Sequence, residues 1–196
     1  MRRHVAALGV LMLLAPGCSA LTTSTATDHV ATSEVRNAAG QVVGTATLTE
    51  VSGGVRVVLE MRGMPPGVKA VHIHAVGKCE GPDFASAGPH LNPTGKQHGL
   101  LNPNGPHAGD LPNITIGADG RGRLETMNDR VTLRGSGALL DADGSALVVH
   151  AAPDDFVTDP AGGSGARIAC GVIVPSITGA APPAAAPTPP SARPAS

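Results

Sequence analysis

From Val55 to Arg62 the chain alternates: Val55, Val57, Leu59 and Met61 are apolar, and Arg56, Val58, Glu60 and Arg62 fall between them. A period of two sends successive side chains to opposite faces of an extended strand, so this stretch has one apolar face and one mostly polar face. Turn chemistry brackets it, with Ser52-Gly53-Gly54 before and Gly63-Met64-Pro65-Pro66-Gly67 after. Similar short runs occupy 41–51, 69–75, 111–117, 146–151 and 166–174, and Asp119-Gly120 and Asp143-Gly144 predict hairpin turns. No segment carries a 3.6-residue apolar stripe longer than two turns. With 26 Gly, 18 Pro and only 15% charged residues, a helical bundle is excluded. The expectation is an all-β fold, an antiparallel β sandwich or barrel. Two stretches, 76–110 and 152–165, are long, Gly/Pro-rich and strandless, and loops of that length in a compact domain usually carry function or are disordered.

The two ends read differently. Arg2 and Arg3 precede an apolar run from Val5 to Leu14, too short to cross a ~30 Å hydrocarbon core as a helix, so residues 1–18 read as an export signal. Cys18 follows Leu14-Ala15-Pro16-Gly17, which resembles a bacterial lipoprotein box with Ala15 and Pro16 in place of the usual Leu and small residue. Lipidation at Cys18 would anchor the protein outside the cytoplasm, periplasmic or on the cell envelope, without spanning a membrane; ordinary signal cleavage nearby is the alternative. Residues 19–28 read as a polar tether, and the Pro/Ala-rich stretch 176–196 as a disordered tail. The expected folded unit is 29–175, roughly 145 residues and enough for one core.

Charge and ring content exclude one class of partner. A net charge of −1 offers no basic footprint for nucleic acid, and two Phe with no Tyr or Trp offer no base-stacking platform. The unusual residue is histidine, at eight. His72 and His74 lie two apart, so in a strand both imidazoles point to one face while Val71 and Ile73 point to the other. His90, His98, His107 and Asp110 follow on the first long loop, and His150 ends the apolar run Ala146-Leu147-Val148-Val149. Imidazoles suit Cu, Zn, Fe and Ni; three His with one Asp suit a closed tetrahedral zinc site, and an all-imidazole set with an open position suits copper. There is no CxxC pair, which argues against a thiolate site.

The motifs that carry this pattern are Val71-His72-Ile73-His74, Ser86-Ala87-Gly88-Pro89-His90-Leu91-Asn92-Pro93, His107-Ala108-Gly109-Asp110-Leu111, Leu147-Val148-Val149-His150 and Gly165-Ala166-Arg167-Ile168-Ala169-Cys170-Gly171-Val172-Ile173. In this order they resemble the Cu,Zn superoxide dismutases over residues 41–175. The resemblance implies a Greek-key β barrel with two long functional loops, and the cofactors copper and zinc. It implies copper ligands at His72, His74, His90 and His150, and zinc ligands at His90, His98, His107 and Asp110, with His90 bridging the two metals. It assigns Asp154 to link a copper His to a zinc His, Arg167 to dock the superoxide anion beside copper, and Cys79 and Cys170 to a disulfide. Lipidated Cys18 would then account for the third Cys. The implied reaction converts superoxide to O2 and hydrogen peroxide, with His90 and Arg167 as the catalytic residues and zinc structural.

The chain also departs from that pattern. Residues 151–166 hold Asp154, Asp155 and Asp159 but no Lys or Arg, so the family's steering lysine is missing; Lys78 and Lys96 are its candidate substitutes. Ala161 stands where a Thr is usual. A metal-buffering protein on the same fold is the alternative, and the intact copper positions together with Arg167 favour the enzyme. The motifs leave oligomeric state, including a homodimer, open.

Overall fold

The computed structural model describes residues 29–135 and 138–176; the expected signal segment with Cys18, the tether up to residue 28 and the tail beyond 176 lie outside the described residues. Among the described residues nine strands form: β1 (Val30–Asn37), β2 (Val42–Val51), β3 (Gly54–Met61), β4 (Gly67–Lys69), β5 (Val71–His74), β6 (Ile114–Ile116), β7 (Gly122–Asn128), β8 (Ser145–His150) and β9 (Arg167–Pro175). Seven of them make one antiparallel sheet in the order β5-β8-β9-β1-β2-β3-β7, and β4 and β6 pair as a separate ribbon. The chain leaves β3 near one end of this sheet and re-enters it at β5, the opposite end. That long return is the Greek-key element of the fold.

The alternation read at 55–62 is realised in β3, where Val55, Val57, Leu59 and Met61 are buried and Arg56 and Glu60 exposed. The preceding hairpin turns at Ser52-Gly53, with Gly53 at φ +92° and Gly54 at +143°, values that only glycine adopts freely. The interior is aliphatic: Leu48, Leu59, Ile73, Leu111, Ile114, Leu133, Leu139 and Leu147 are fully buried. The two Phe are thus not the core's main substance, and Phe84 belongs to a smaller cluster with Ala87, Ala146, Val148 and Cys170. Strand β8 is buried along its whole length because Leu147 and Val149 face the main core while Ala146 and Val148 face that second cluster. A strand covered on both faces reads as an unbroken apolar run.

Some expectations change. The run 69–75 divides at Ala70 into β4 and β5, which belong to different sheets. Asp119-Gly120 does turn the chain between β6 and β7, with Gly117 N donating to Arg121 O at 2.8 Å, although β6 pairs with β4. Asp143-Gly144 is not a hairpin turn between paired strands; it bends the loop before β8, where Gly144 N donates to Asp141 Oδ1 at 2.9 Å. Strands β1 and β7 were not foreseen. β1 buries Ala31, Ser33 and Val35, and β7 buries only Leu124 and Asn128, so the inward set is too small or polar to register as an apolar face.

Candidate metal centre

The first group of donors is built on the sheet. In β5, Val71 and Ile73 enter the core, and His72 and His74 take the other face, opposite Val148 and Ala146 of β8. His150, the next outward residue of β8, sits at a register shift against β9, where it pairs with Arg167. Such a bulge re-aims a side chain at a strand end. His72 Nδ1, His74 Nε2 and His150 Nε2 are each buried with no hydrogen-bond partner. Ligand atoms of His72, His74, His90 and His150 all lie within 4.8 Å of one another. Buried polar atoms are ordinarily paired, so three orphaned imidazole nitrogens facing one point fit a bound cation that prefers nitrogen.

The opposite ring nitrogens are anchored. His74 Nδ1 donates to Gly88 O at 2.8 Å, and His150 Nδ1 lies 3.2 Å from Gly165 O and 3.1 Å from Ser164 Oγ. Gly88 O also accepts from Arg167 Nη2 at 2.7 Å, and Phe84 O accepts from Arg167 Nη1 at 2.7 Å. One carbonyl therefore orients both a donor imidazole and the guanidinium. The Cys79–Cys170 disulfide, with a Cα–Cα distance of 5.6 Å, ties this loop to β9 three residues after Arg167 on the same strand. It closes a separation of 91 residues, worth ~4–5 kcal/mol in the chain-entropy model.

The second group lies on the long loop between β5 and β6. That loop returns along the free edge of β5: Leu91 N donates to Ile73 O at 2.9 Å, Ile73 N to Gly109 O at 2.8 Å, and Gly109 N to Leu91 O at 2.8 Å. A Cβ on Gly109 would meet Ile73 O at 2.1 Å, so only glycine permits this approach. The return brings His90 beside His74 and Asp110 beside His72. Around Asp110 Oδ1 stand His98 Nδ1 at 3.0 Å, His90 Nδ1 at 3.1 Å and His107 Nδ1 at 3.4 Å. Proximity alone groups His72 with His90, His98 and Asp110. His72 Nε2 is engaged by Asp154, and His107 Nδ1 lies 3.3 Å from His90 Nδ1, so the fourth donor that the resemblance implies is also at hand.

Asp154, on the loop between β8 and β9, joins the groups. Its Oδ2 accepts from His72 Nε2 at 2.8 Å and its Oδ1 from His98 Nε2 at 3.0 Å. A carboxylate so placed sets the tautomer and orientation of both rings. The contact needs Gly162 (φ +64°), where a Cβ would sit 1.8 Å from Asp154 Oδ1. The other two acids of this loop are also engaged: Asp159 Oδ1 accepts from His98 N at 2.6 Å, and Asp155 Oδ1 caps Val157 N and Thr158 N. Lys96 lines a cleft with His90 and His107, but Asp141, Asp143 and Asp159 line it too; Lys78 is exposed.

Electrostatics divide the groups. Burial holds His72 down at about 4, His74 at about 2 and His150 at about 3, so all three are neutral near pH 7. Burial opposes charging His98 too, but hydrogen bonds to Asp110 and Asp154 outweigh it and raise His98 to about 9. Burial would raise the carboxyls of Asp110 and Asp154, yet their histidine partners hold both well below the usual range. Sequence reasoning missed Ser164, Asn128 and Arg130, which bind ring or backbone atoms of the site and carry no motif of their own.

A Greek-key β domain bearing two adjoining imidazole-rich donor sets, joined by one carboxylate, defines a metal-binding protein of all-β class. Residues 42–173 match the family model described as copper/zinc superoxide dismutase (SODC). The chain is 46% identical over 164 residues to "Superoxide dismutase [Cu-Zn] 2" of Aquifex aeolicus, covering 82% of this chain and 96% of that protein. It is 50% identical over 147 residues to the Caulobacter vibrioides "Superoxide dismutase [Cu-Zn]", covering 73% and 84%. Among solved structures, a SOD-like protein from Bacillus subtilis is similar at TM-score 0.70 and 39% identity, over 73% of this chain and 97% of that one. The Cu/Zn superoxide dismutase from Brucella abortus is similar at TM-score 0.62 and 28% identity, over 74% and 99%. This chain belongs to the copper/zinc superoxide dismutase family.

Proposed function

We propose that this protein removes superoxide by dismutation, two superoxide anions and two protons giving O2 and hydrogen peroxide, with His72, His74, His90 and His150 holding copper and His90, His98, His107 and Asp110 holding zinc. The observation that carries the reading is the trio of buried, unpartnered ring nitrogens on His72, His74 and His150. Copper held there supplies one-electron chemistry between two oxidation states, and zinc supplies fixed charge and rigidity. In this assignment His90 serves both metals; with Nδ1 directed at Asp110, its other ring nitrogen would take and return a proton during turnover. Asp154 keeps His72 and His98 in register. Arg167 is cationic, and its two carbonyl contacts on Phe84 and Gly88 hold it beside His74 to attract and orient the anion.

Export, attachment of lipid at Cys18 and a periplasmic or cell-envelope location belong to the same proposal, and a homodimer is compatible with it. Support for export comes from the apolar run after Arg2-Arg3 and from the disulfide, which an oxidising compartment favours. The test is superoxide removal by the protein loaded with one copper and one zinc, with free metal chelated. Arg167→Glu should lower the rate far more than Arg167→Lys, at unchanged metal content. Full metal occupancy with no dismutation would support a metal-buffering protein instead.

A further inference from the structure

The turn that presents His107 and Asp110 is held from the barrel side by residues at and just beyond the end of β7. Arg130 Nη2 donates to Asp110 O at 2.8 Å, and Arg130 Nε to His107 O at 3.3 Å. Asn128, fully buried, donates through Nδ2 to Ala108 O at 2.8 Å, and its own Oδ1 accepts from Arg130 N at 3.0 Å. Carbonyls of three residues within one four-residue turn are thus bound by two side chains from one strand end. Backbone amides of this turn and of Gly99 hold the carboxylate: Asp110 Oδ2 accepts from His107 N and Gly99 N, both at 2.9 Å, which leaves Oδ1 for the three imidazoles.

A guanidinium beside a cation site would ordinarily be repelled. Here its fork faces carbonyl oxygens, not the Asp110 carboxylate, and Asp129 Oδ1 lies 3.1 Å from Arg130 Nη1. Two divergent carbonyls suit a planar, multi-donor fork, which an ammonium cannot reproduce. The backbone end of the bracket is anchored as well. Asn128 is paired with Val55, and Gly54 packs so closely that a Cβ there would meet Asn128 O at 2.4 Å.

We propose that Arg130, with Asn128, is a positioning pair for the zinc side: it presets the His107–Asp110 turn from the rigid sheet, so that the loop-borne donors are in place before zinc arrives and release it slowly. This rests on the reading of His90, His98, His107 and Asp110 as the zinc set. Arg130 is the residue to change, because its side chain is 28% exposed and its loss leaves no hole in the core. In the copper- and zinc-loaded protein, Arg130→Met should release zinc to a chromogenic chelator ~10–100-fold faster, the range for losing a partner that supports a ligand. Arg130→Lys should fall between Arg130→Met and the wild type. The copper absorption band should be unchanged, cobalt placed in the zinc set should show an altered visible spectrum, and the metal-free variant should melt with the metal-free wild type. Unchanged zinc release, or equal loss of thermal stability with and without metal, would overturn the positioning role. Zinc uptake by the His107→Ala variant equal to that of the wild type would overturn the zinc reading itself, a result distinguishable from either.

Discussion

The two donor groups lie side by side yet are built in opposite ways. His72, His74 and His150 stand on β5 and β8, are buried and neutral, and leave three ring nitrogens unpaired. His98, His107 and Asp110 stand on a loop and are tied together through the Asp110 carboxylate, which accepts from the His98 ring and from the His107 backbone amide, with His98 raised to about 9. The sheet can hold unsatisfied imidazoles because its ladder fixes their backbone independently of any metal. The loop has no ladder of its own and is held in place by carboxylates, amides and the return along β5. Donors on strands are held in place by the sheet; those on a loop must be made rigid by other contacts.

The largest break in this contrast should come from His150→Ala. Removing one of the four donors of the sheet-borne set should abolish activity and copper binding, with zinc content retained, as read by metal analysis. His107→Ala should do the reverse for content, losing zinc selectively; loss of both metals in either variant would refute the division into two sets.

Asp154→Asn should have an intermediate effect that reaches both groups. The amide keeps the size but cannot accept from both rings, so copper and zinc affinity should each weaken, by ~10–100-fold. Chelator competition reads both metals, and a change confined to one side would show that Asp154 does not couple them.

The smallest effect is in the pH dependence of the metal-free protein, where the two groups carry opposite signs. The folded values of His72, His74 and His150 lie below 6.5, so their contribution is complete above about 6.5 and is lost as pH falls toward 4 and below. His98 is raised, so its contribution is complete below about 6.5 and is lost as pH rises through about 9. Thermal melts across pH 4–10 should therefore fall off on both sides of a maximum near neutrality. Zinc loading should remove the alkaline slope, because a bound ligand must already be deprotonated; an alkaline slope that survives zinc would assign it to another group.

Much of the site was legible because its chemistry leaves marks in one dimension. His72 and His74 two apart must share a face in a strand, and His150 closing an apolar run must sit at a strand end. The resemblance supplied Asp154, Arg167 and the Cys79–Cys170 pair, and the structure brings Asp154 between His72 and His98 and places Arg167 on Gly88 O. Arg130, Asn128, Ser164 and Gly162 were not legible. Each acts on a backbone carbonyl, a ring nitrogen or a carboxylate oxygen in another element or loop segment, and such a partner imposes no fixed spacing. β1 and β7 escaped for a related reason, since Ser33 and Asn128 point inward and break the apolar pattern.

The sequence by itself determined the strands with a strong alternation, the all-β class and the identity of the donor atoms, because side-chain direction in a strand follows from covalent geometry alone. Only the tertiary structure decided which donors meet. The return of the 75–113 loop along β5, the bulge at His150 and the space left by Gly109 and Gly162 are products of backbone pairing between distant segments. That pairing depends on the whole sheet being assembled, and so it gathers six histidines into two overlapping groups that no local pattern distinguishes.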